Sequence, residues 1–205
     1  MAELRRAGVA GEAVAGIDEA GRGPWAGPVV AAAVIFETAR LPRLITSKVD
    51  DSKKLAPALR ETLFEAIREH AAIGVGQASV AEIEALNISA ATHLAMCRAV
   101  EALGRAPARA IVDGNRLPAL SCPAEALVGG DGKLLEIAAA SIVAKVIRDR
   151  LMRDLAEAHP GYGWARNVGY GTAEHRAGIE RLGLTAHHRR TWEPVRMFLQ
   201  SSQNL

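Results

Sequence analysis

Cysteine is scarce: Cys97 and Cys122 are the only two in 205 residues, and they show no metal-ligand spacing. A disulfide-stapled scaffold is thereby excluded, nothing suggests zinc, and a reducing, cytoplasmic setting is expected. Aromatic residues are scarce too, at 4%, which disfavours a carboxylate-pair glycosidase because such a site draws on sugar-stacking platforms. No apolar run approaches the roughly 20 residues needed to span a bilayer, so no membrane partner is expected. Behind the Arg5-Arg6 pair, Glu12 and Asp18 interrupt the alanine-rich stretch before a signal-peptide core can form. The net charge of +2 is too small to announce nucleic-acid binding.

The charge that is present is unevenly spread. Residues 141–205 carry ten Lys or Arg against six Asp or Glu, so that stretch is +4 (10 − 6) and the first 140 residues are −2 (15 − 17). This is either a basic C-terminal surface or ordinary solvated side chains. A hydrophobic content of 49% and a charged content of 23% suit one globular core. A single domain over 1–205 is expected, with a core over about 14–158 and a helical, loop-rich region over about 159–205.

Periodicity predicts a strand over Ala13 to Glu19 and a hairpin partner over Gly27 to Phe36, the second a nearly unbroken Val/Ala/Ile run suited to burial on both faces. A helix is expected from Pro57 to about His70, with Leu59, Leu63, Phe64 and Ile67 on one face. A third strand follows over Ala71 to Val80, then one or two helices to Leu103. Short strands over Ala108 to Val112 and Ala124 to Val128 run into Asp113 and into Gly129-Gly130-Asp131. A long helix is expected from about Leu134 to Ala158, and shorter helices among loops beyond it. Hairpin strands followed by strands that alternate with helices argue for an α/β fold with a mixed sheet flanked by helices.

Ligands of such sheets sit beyond strand ends, which is where Asp18, Asp113 and Asp131 fall. An Asp at a strand end is more often a turn former, and Asp113-Gly114-Asn115 looks like turn chemistry. Oxygen-only ligands nevertheless suit Mg²⁺ or Mn²⁺, and clustered carboxylates need a cation or a raised pKa. Two metals about 3.5–4 Å apart can activate water and stabilise a leaving oxygen in phosphodiester hydrolysis. Glu19 poses a difficulty, since neighbours on a regular strand point to opposite faces; it is either a surface acid or, if the strand ends near Gly21, part of the same site.

Gly21-Arg22-Gly23 can bring bare backbone to a ribose and an arginine to phosphate, or simply form a tight turn. Lys53 and Lys54 read equally as phosphate binders or as solvated surface. Tyr170, between two glycines, either presents its ring to a sugar or base or anchors its loop, and Tyr162 has the same two readings.

Taken together these stretches resemble ribonuclease HII, the type 2 ribonuclease H. The likeness is carried by Gly16-Ile17-Asp18-Glu19-Ala20-Gly21-Arg22-Gly23-Pro24, Asp51-Ser52-Lys53-Lys54-Leu55, Val112-Asp113-Gly114-Asn115-Arg116 and Gly130-Asp131. It continues through Ile137 to Lys145, Gly169-Tyr170-Gly171-Thr172 and His188-Arg189-Arg190, in the family's order over nearly the whole chain.

The resemblance implies a ribonuclease H-like fold and metal-dependent cleavage of RNA in RNA-DNA hybrids, including cutting 5′ of a single ribonucleotide in duplex DNA. It assigns Asp18, Glu19, Asp113 and Asp131 as the catalytic, metal-binding acids, with two Mg²⁺ or Mn²⁺ ions as cofactors. It sets Gly21, Arg22 and Gly23 against the ribose that marks the cut, and Tyr170 against the sugar on the DNA side of the junction. Ser52, Lys53, Ser141 and Lys145 become phosphate contacts, which position a duplex without reading its bases. A monomer is implied, acting on RNA-DNA hybrids and on duplex DNA that contains ribonucleotides.

The chain departs from the family where Val168 and Gly129 stand in place of common lysines and where Thr191-Trp192 replaces a common Ser-Phe. Weaker or more salt-sensitive binding is expected from the two missing lysines. Ribonuclease HIII shares this chemistry but usually carries an additional N-terminal substrate-binding domain, and only about a dozen residues precede the first predicted strand. A catalytically silent hybrid-binding module would need the basic loops but not four acids.

Overall fold

The computed structural model describes residues 4–8, 12–37 and 40–201. Five strands form one sheet: β1 (Val14–Ala20), β2 (Val29–Phe36), β3 (Ala71–Ala78), β4 (Arg109–Asp113) and β5 (Ala124–Leu127). Their order is β3-β2-β1-β4-β5, with β2 antiparallel to both β1 and β3, and with β4 and β5 parallel to β1. The mixed sheet expected from the sequence is therefore present.

All eight residues of β2 are buried, because a helix covers each face of the sheet. On one side α5 (Leu135–Ala158) packs Ala138, Ile142 and Val146 with Ala32, Val34 and Phe36, and α2 (Pro57–His70) adds Leu63, Phe64 and Ile67. On the other side α4 (Ile88–Glu101), which follows α3 (Val80–Leu86), packs Ala91, Ala95 and Ala99 with Ile17, Ala31, Ala33 and Ile35. Burying each such Ile or Val side chain is worth about 1.5–3 kcal/mol. The small residues set the spacing. At Gly16 a Cβ would stand 2.2 Å from the main-chain carbon of Glu136, so only glycine lets the start of α5 approach β1 this closely.

A short helix α1 (Arg43–Lys48) was not foreseen. Its six residues are too few for a periodic signal, and Ile45, fully buried in the α5-side cluster, holds it in place. Beyond α5 come α6 (Trp164–Asn167), α7 (Ala173–Leu182) and α8 (Glu193–Ser201). These gather round a separate cluster containing Ala26, Met152, Tyr162, Trp164 and Ile179. Tyr162 is buried there, its ring stacked on Trp164 at 4.9 Å and its hydroxyl donating to the Gly183 carbonyl at 2.9 Å. Of its two readings, Tyr162 takes the anchoring one.

Candidate active site

The carboxyl ends of β1 and β4 lie side by side because these strands run parallel, with Ile17 opposite Val112. In β1, Ala15 and Ile17 belong to the α4-side cluster, so alternation sets Asp18 on the α5 face and Glu19 on the α4 face. By the same rule Asp113, two residues after Ile111 in β4, shares the α5 face with Asp18. β1 ends at Ala20, one residue after Glu19, and Gly21 follows with φ +98°. At this edge the two faces meet, and Asp18 and Glu19 line one cavity of about 250 Å³. Asp131 does not stand at a strand end as expected. It lies four residues beyond β5, in a 3₁₀ turn over Gly130–Gly132.

That cavity also brings together Gly21, Arg22 and Gly23 from the loop after β1, and Ser52 and Lys53 from the turn after α1. Ser141 and Lys145 reach it from α5, and Tyr170 from the loop before α7. Every residue that the resemblance marks for substrate contact thus lines one space. Asp113 opens instead into an adjoining cavity of about 250 Å³, which shares Glu19 and Arg22 with the first. Tyr170 is 47% exposed, as a ring offered to a ligand must be.

Electrostatics tie the acids together. Asp18 is buried, and its carboxyl is pushed well above the usual range, first by that burial, then by the charges of Glu19 and Asp113, with Asp131 adding a smaller push. Burial also raises Glu19, partly offset by Arg22, which pairs with it at 3.3 Å. Asp131 is raised by burial, then by Asp51 and Asp113. The acids lean on nearby donors: Asp18 Oδ1 accepts from the Glu19 N–H at 2.7 Å, and Asp113 Oδ1 from the Gly130 N–H at 2.7 Å. Among the described residues no three His, Cys, Asp or Glu side chains stand in a ready coordination cluster. The donor chemistry still fits a hard divalent cation, since four mutually repelling carboxylates bring oxygen ligands and no nitrogen or sulfur.

Sequence reasoning gave no role to Arg148, His93 or Arg189. Arg148 lines the first cavity; it is buried, and its guanidinium donates to the carbonyls of Pro28, Val168 and Ala26. A Cβ on Gly21 would stand 2.0 Å from Arg148 Nε, so glycine is required there both for the left-handed backbone and for room. The signal for Arg148 was its place one turn beyond Lys145 on the same helix. His93 reaches the adjoining cavity from α4, one turn beyond Ser89, and only the partner elements reveal it.

The family model for ribonuclease HII matches residues 15–195. The chain is 59% identical over 189 residues to ribonuclease HII of Paramagnetospirillum magneticum, covering 92% of this chain and 94% of that protein. Ribonuclease HII of Rhodospirillum rubrum is 54% identical over 204 residues, covering 98% and 94%. Among solved structures, ribonuclease H2 from Pyrococcus horikoshii OT3 superposes with a TM-score of 0.80 at 28% identity, covering 94% of this chain and 99% of that one. The fold is thus ribonuclease H-like, and with a match over most of its length and such identities the chain belongs to the ribonuclease HII family of endoribonucleases.

Proposed function

We propose that the chain hydrolyses the RNA strand of RNA-DNA hybrids and cuts on the 5′ side of single ribonucleotides embedded in duplex DNA. One observation carries this reading: buried Asp18 shares a cavity with the Gly21 to Gly23 backbone and the exposed Tyr170 ring. An acid suited to a metal therefore stands beside the two elements suited to reading a sugar. In this reading the described core and the helices after α5 act as one catalytic domain.

The peptide groups of Gly21 to Gly23 hydrogen-bond the 2′-hydroxyl of the ribonucleotide, and Tyr170 packs against the sugar on the DNA side of the junction, where a second 2′-hydroxyl would fit less well. Lys53, Lys145 and Arg22 meet backbone phosphates with their charge, and Ser52 and Ser141 with their hydroxyls. Asp18, Glu19, Asp113 and Asp131 would hold Mg²⁺ or Mn²⁺, two ions in all, which supply charge neutralisation, water activation and stabilisation of the leaving oxygen. Water oxygen adds to phosphorus and the bond to the upstream 3′ oxygen breaks. The products are a 5′-phosphate on the ribonucleotide and a 3′-hydroxyl upstream. The 2′-hydroxyl is a recognition handle and not the nucleophile. No described helix is long and apolar enough to cross a membrane, and the chain is proposed to act as a cytoplasmic monomer.

The test is a labelled DNA duplex with one ribonucleotide, incubated with Mg²⁺, Mn²⁺ or chelator beside an all-DNA duplex, with product ends resolved. Metal-dependent cleavage 5′ to the ribonucleotide, with no cutting of all-DNA, is expected. A 2′,3′-cyclic phosphate product would contradict the mechanism, and binding without cleavage under every metal would make the chain a silent hybrid-binding module.

A further inference from the structure

Arg189 is fully buried, and every hydrogen bond its guanidinium makes among the described residues goes to a main-chain carbonyl of the loop that follows β1. Nη2 donates to Gly21 O at 2.5 Å, Nη1 to Arg22 O at 2.9 Å and Nε to Gly27 O at 3.0 Å. Its own N–H donates to Trp25 O at 2.8 Å, and Ala26 bridges His188 in antiparallel fashion. A buried guanidinium without a carboxylate is a costly way to hold a loop. Burial and the nearby Arg148 lower Arg189 to about 9. What the planar fork provides is several donors in one fixed geometry.

The preceding residue holds the opposite loop. His188 Nδ1 accepts from the Thr185 N–H at 2.9 Å, so its proton sits on Nε2, which donates to His175 Nε2 at 3.1 Å. His175 Nε2 also accepts from Trp164 Nε1 at 3.0 Å. The His175 proton is therefore on Nδ1, where it donates to the Tyr170 carbonyl at 3.0 Å. Burial keeps both rings neutral by lowering their pKa values, and only the neutral pair satisfies all four bonds. The two loops so held face each other: a Cβ on Gly23 would stand 3.5 Å from Tyr170 Cε1.

We propose that His188 and Arg189 are positioning residues for substrate specificity, a clamp that sets the gap between the Gly21 to Gly23 backbone and Tyr170 and so the fit of a ribose followed by a deoxyribose. The inference rests on the reading of those two loops as substrate contacts. Adjacent in sequence, the two residues couple the loops through one short segment. A shift of about 1 Å in such a gap can cost roughly a hundredfold in rate.

The test measures kcat and KM of the full chain on a duplex with one ribonucleotide and on a continuous RNA-DNA hybrid, with thermal melting of each variant. Tyr170→Ala, Arg189→Lys and His188→Asn are expected to lower the single-ribonucleotide to continuous-hybrid ratio of kcat/KM about tenfold or more. His188→Gln, which can put an amide donor near Nε2, is expected to restore most of that ratio. Should Tyr170→Ala leave the ratio unchanged, the substrate reading of the loop fails. If Tyr170→Ala moves the ratio but His188→Asn does not, the clamp alone is overturned. Equal losses on both substrates, in step with lost stability, also overturn it. If Arg189→Lys does not fold, the two His188 variants decide.

Discussion

Ser141 in α5 and Ser52 in the turn after α1 meet hydroxyl to hydroxyl at 2.7 Å, both buried, across 89 positions of sequence. The bond pins the turn that carries Lys53 to the helix that carries Lys145, and Arg60 braces the same turn by donating to Ser52 O at 2.9 Å and Leu55 O at 2.7 Å. Ser141→Ala leaves a buried hydroxyl short of a partner, an expected loss of about 1–3 kcal/mol in denaturant unfolding. KM for a ribonucleotide-containing duplex is expected to rise more than kcat falls. Wild-type stability and KM in this variant would show that the pair positions nothing.

Asp18→Asn is expected to stabilise the protein in chelator while lowering turnover by orders of magnitude. The folded carboxyl of Asp18 is raised by burial and acidic neighbours. Its contribution to stability is therefore full below the ordinary carboxylate pKa and lost as pH rises through the folded value. Above that folded value the charged group opposes folding unless a cation is bound, and bound cation stabilises by mass action. Melting curves with chelator and with Mn²⁺ check this: the variant should melt a few degrees above wild type in chelator and lose much of the rise that Mn²⁺ gives wild type. Full activity in Asp18→Asn would remove this residue from the site.

Val168 holds φ +43°, a left-handed conformation that β-branched residues rarely adopt. Val168→Gly is expected to gain about 1 kcal/mol in stability by removing that strain. Val168 lines a cavity of about 440 Å³ with Lys145 and Arg166. Gly129, at φ +63°, has no atom among the described residues within 4 Å of where a Cβ would stand, apart from its own and those of its two chain neighbours. Val168→Lys and Gly129→Lys are each expected to tighten duplex binding at low salt and steepen the log-log salt dependence by about 0.9. Unchanged slopes in both would show that neither position meets phosphate.

Acid should weaken the fold through the histidine pair. His188 is lowered to about 3, first by burial and then by His175. A base so depressed contributes stability that is full above its ordinary pKa of about 6.5 and lost as pH falls towards the folded value. Denaturant midpoints between pH 7.5 and pH 4.5 should fall for wild type and fall less for His188→Gln, by up to about 1.4 kcal/mol per pH unit for this one group. Parallel curves for the two proteins would mean that His188 does not titrate with unfolding.

The sequence by itself determined the mixed sheet and its main helices, because hydrophobic period is a property of each segment alone. The eight-residue run of β2 announced burial on both faces, and α2 begins at Pro57 and ends at His70 where proline and periodicity place it. Joint motifs also mark Asp18, Glu19, Asp113 and Asp131 as the candidate acids. Tertiary structure decided the rest. Strand alternation alone left Glu19 undecided; the end of β1 at the sheet edge lets it share a cavity with Asp18. Tyr162 and Tyr170 read alike among their glycines, yet one packs on Trp164 and the other stays exposed. The reach of Arg189 to Gly21 and of His175 to Tyr170 was invisible for a simpler reason. Their acceptors are main-chain carbonyls, which every residue carries, so only the folded path of the chain selects which of them are met.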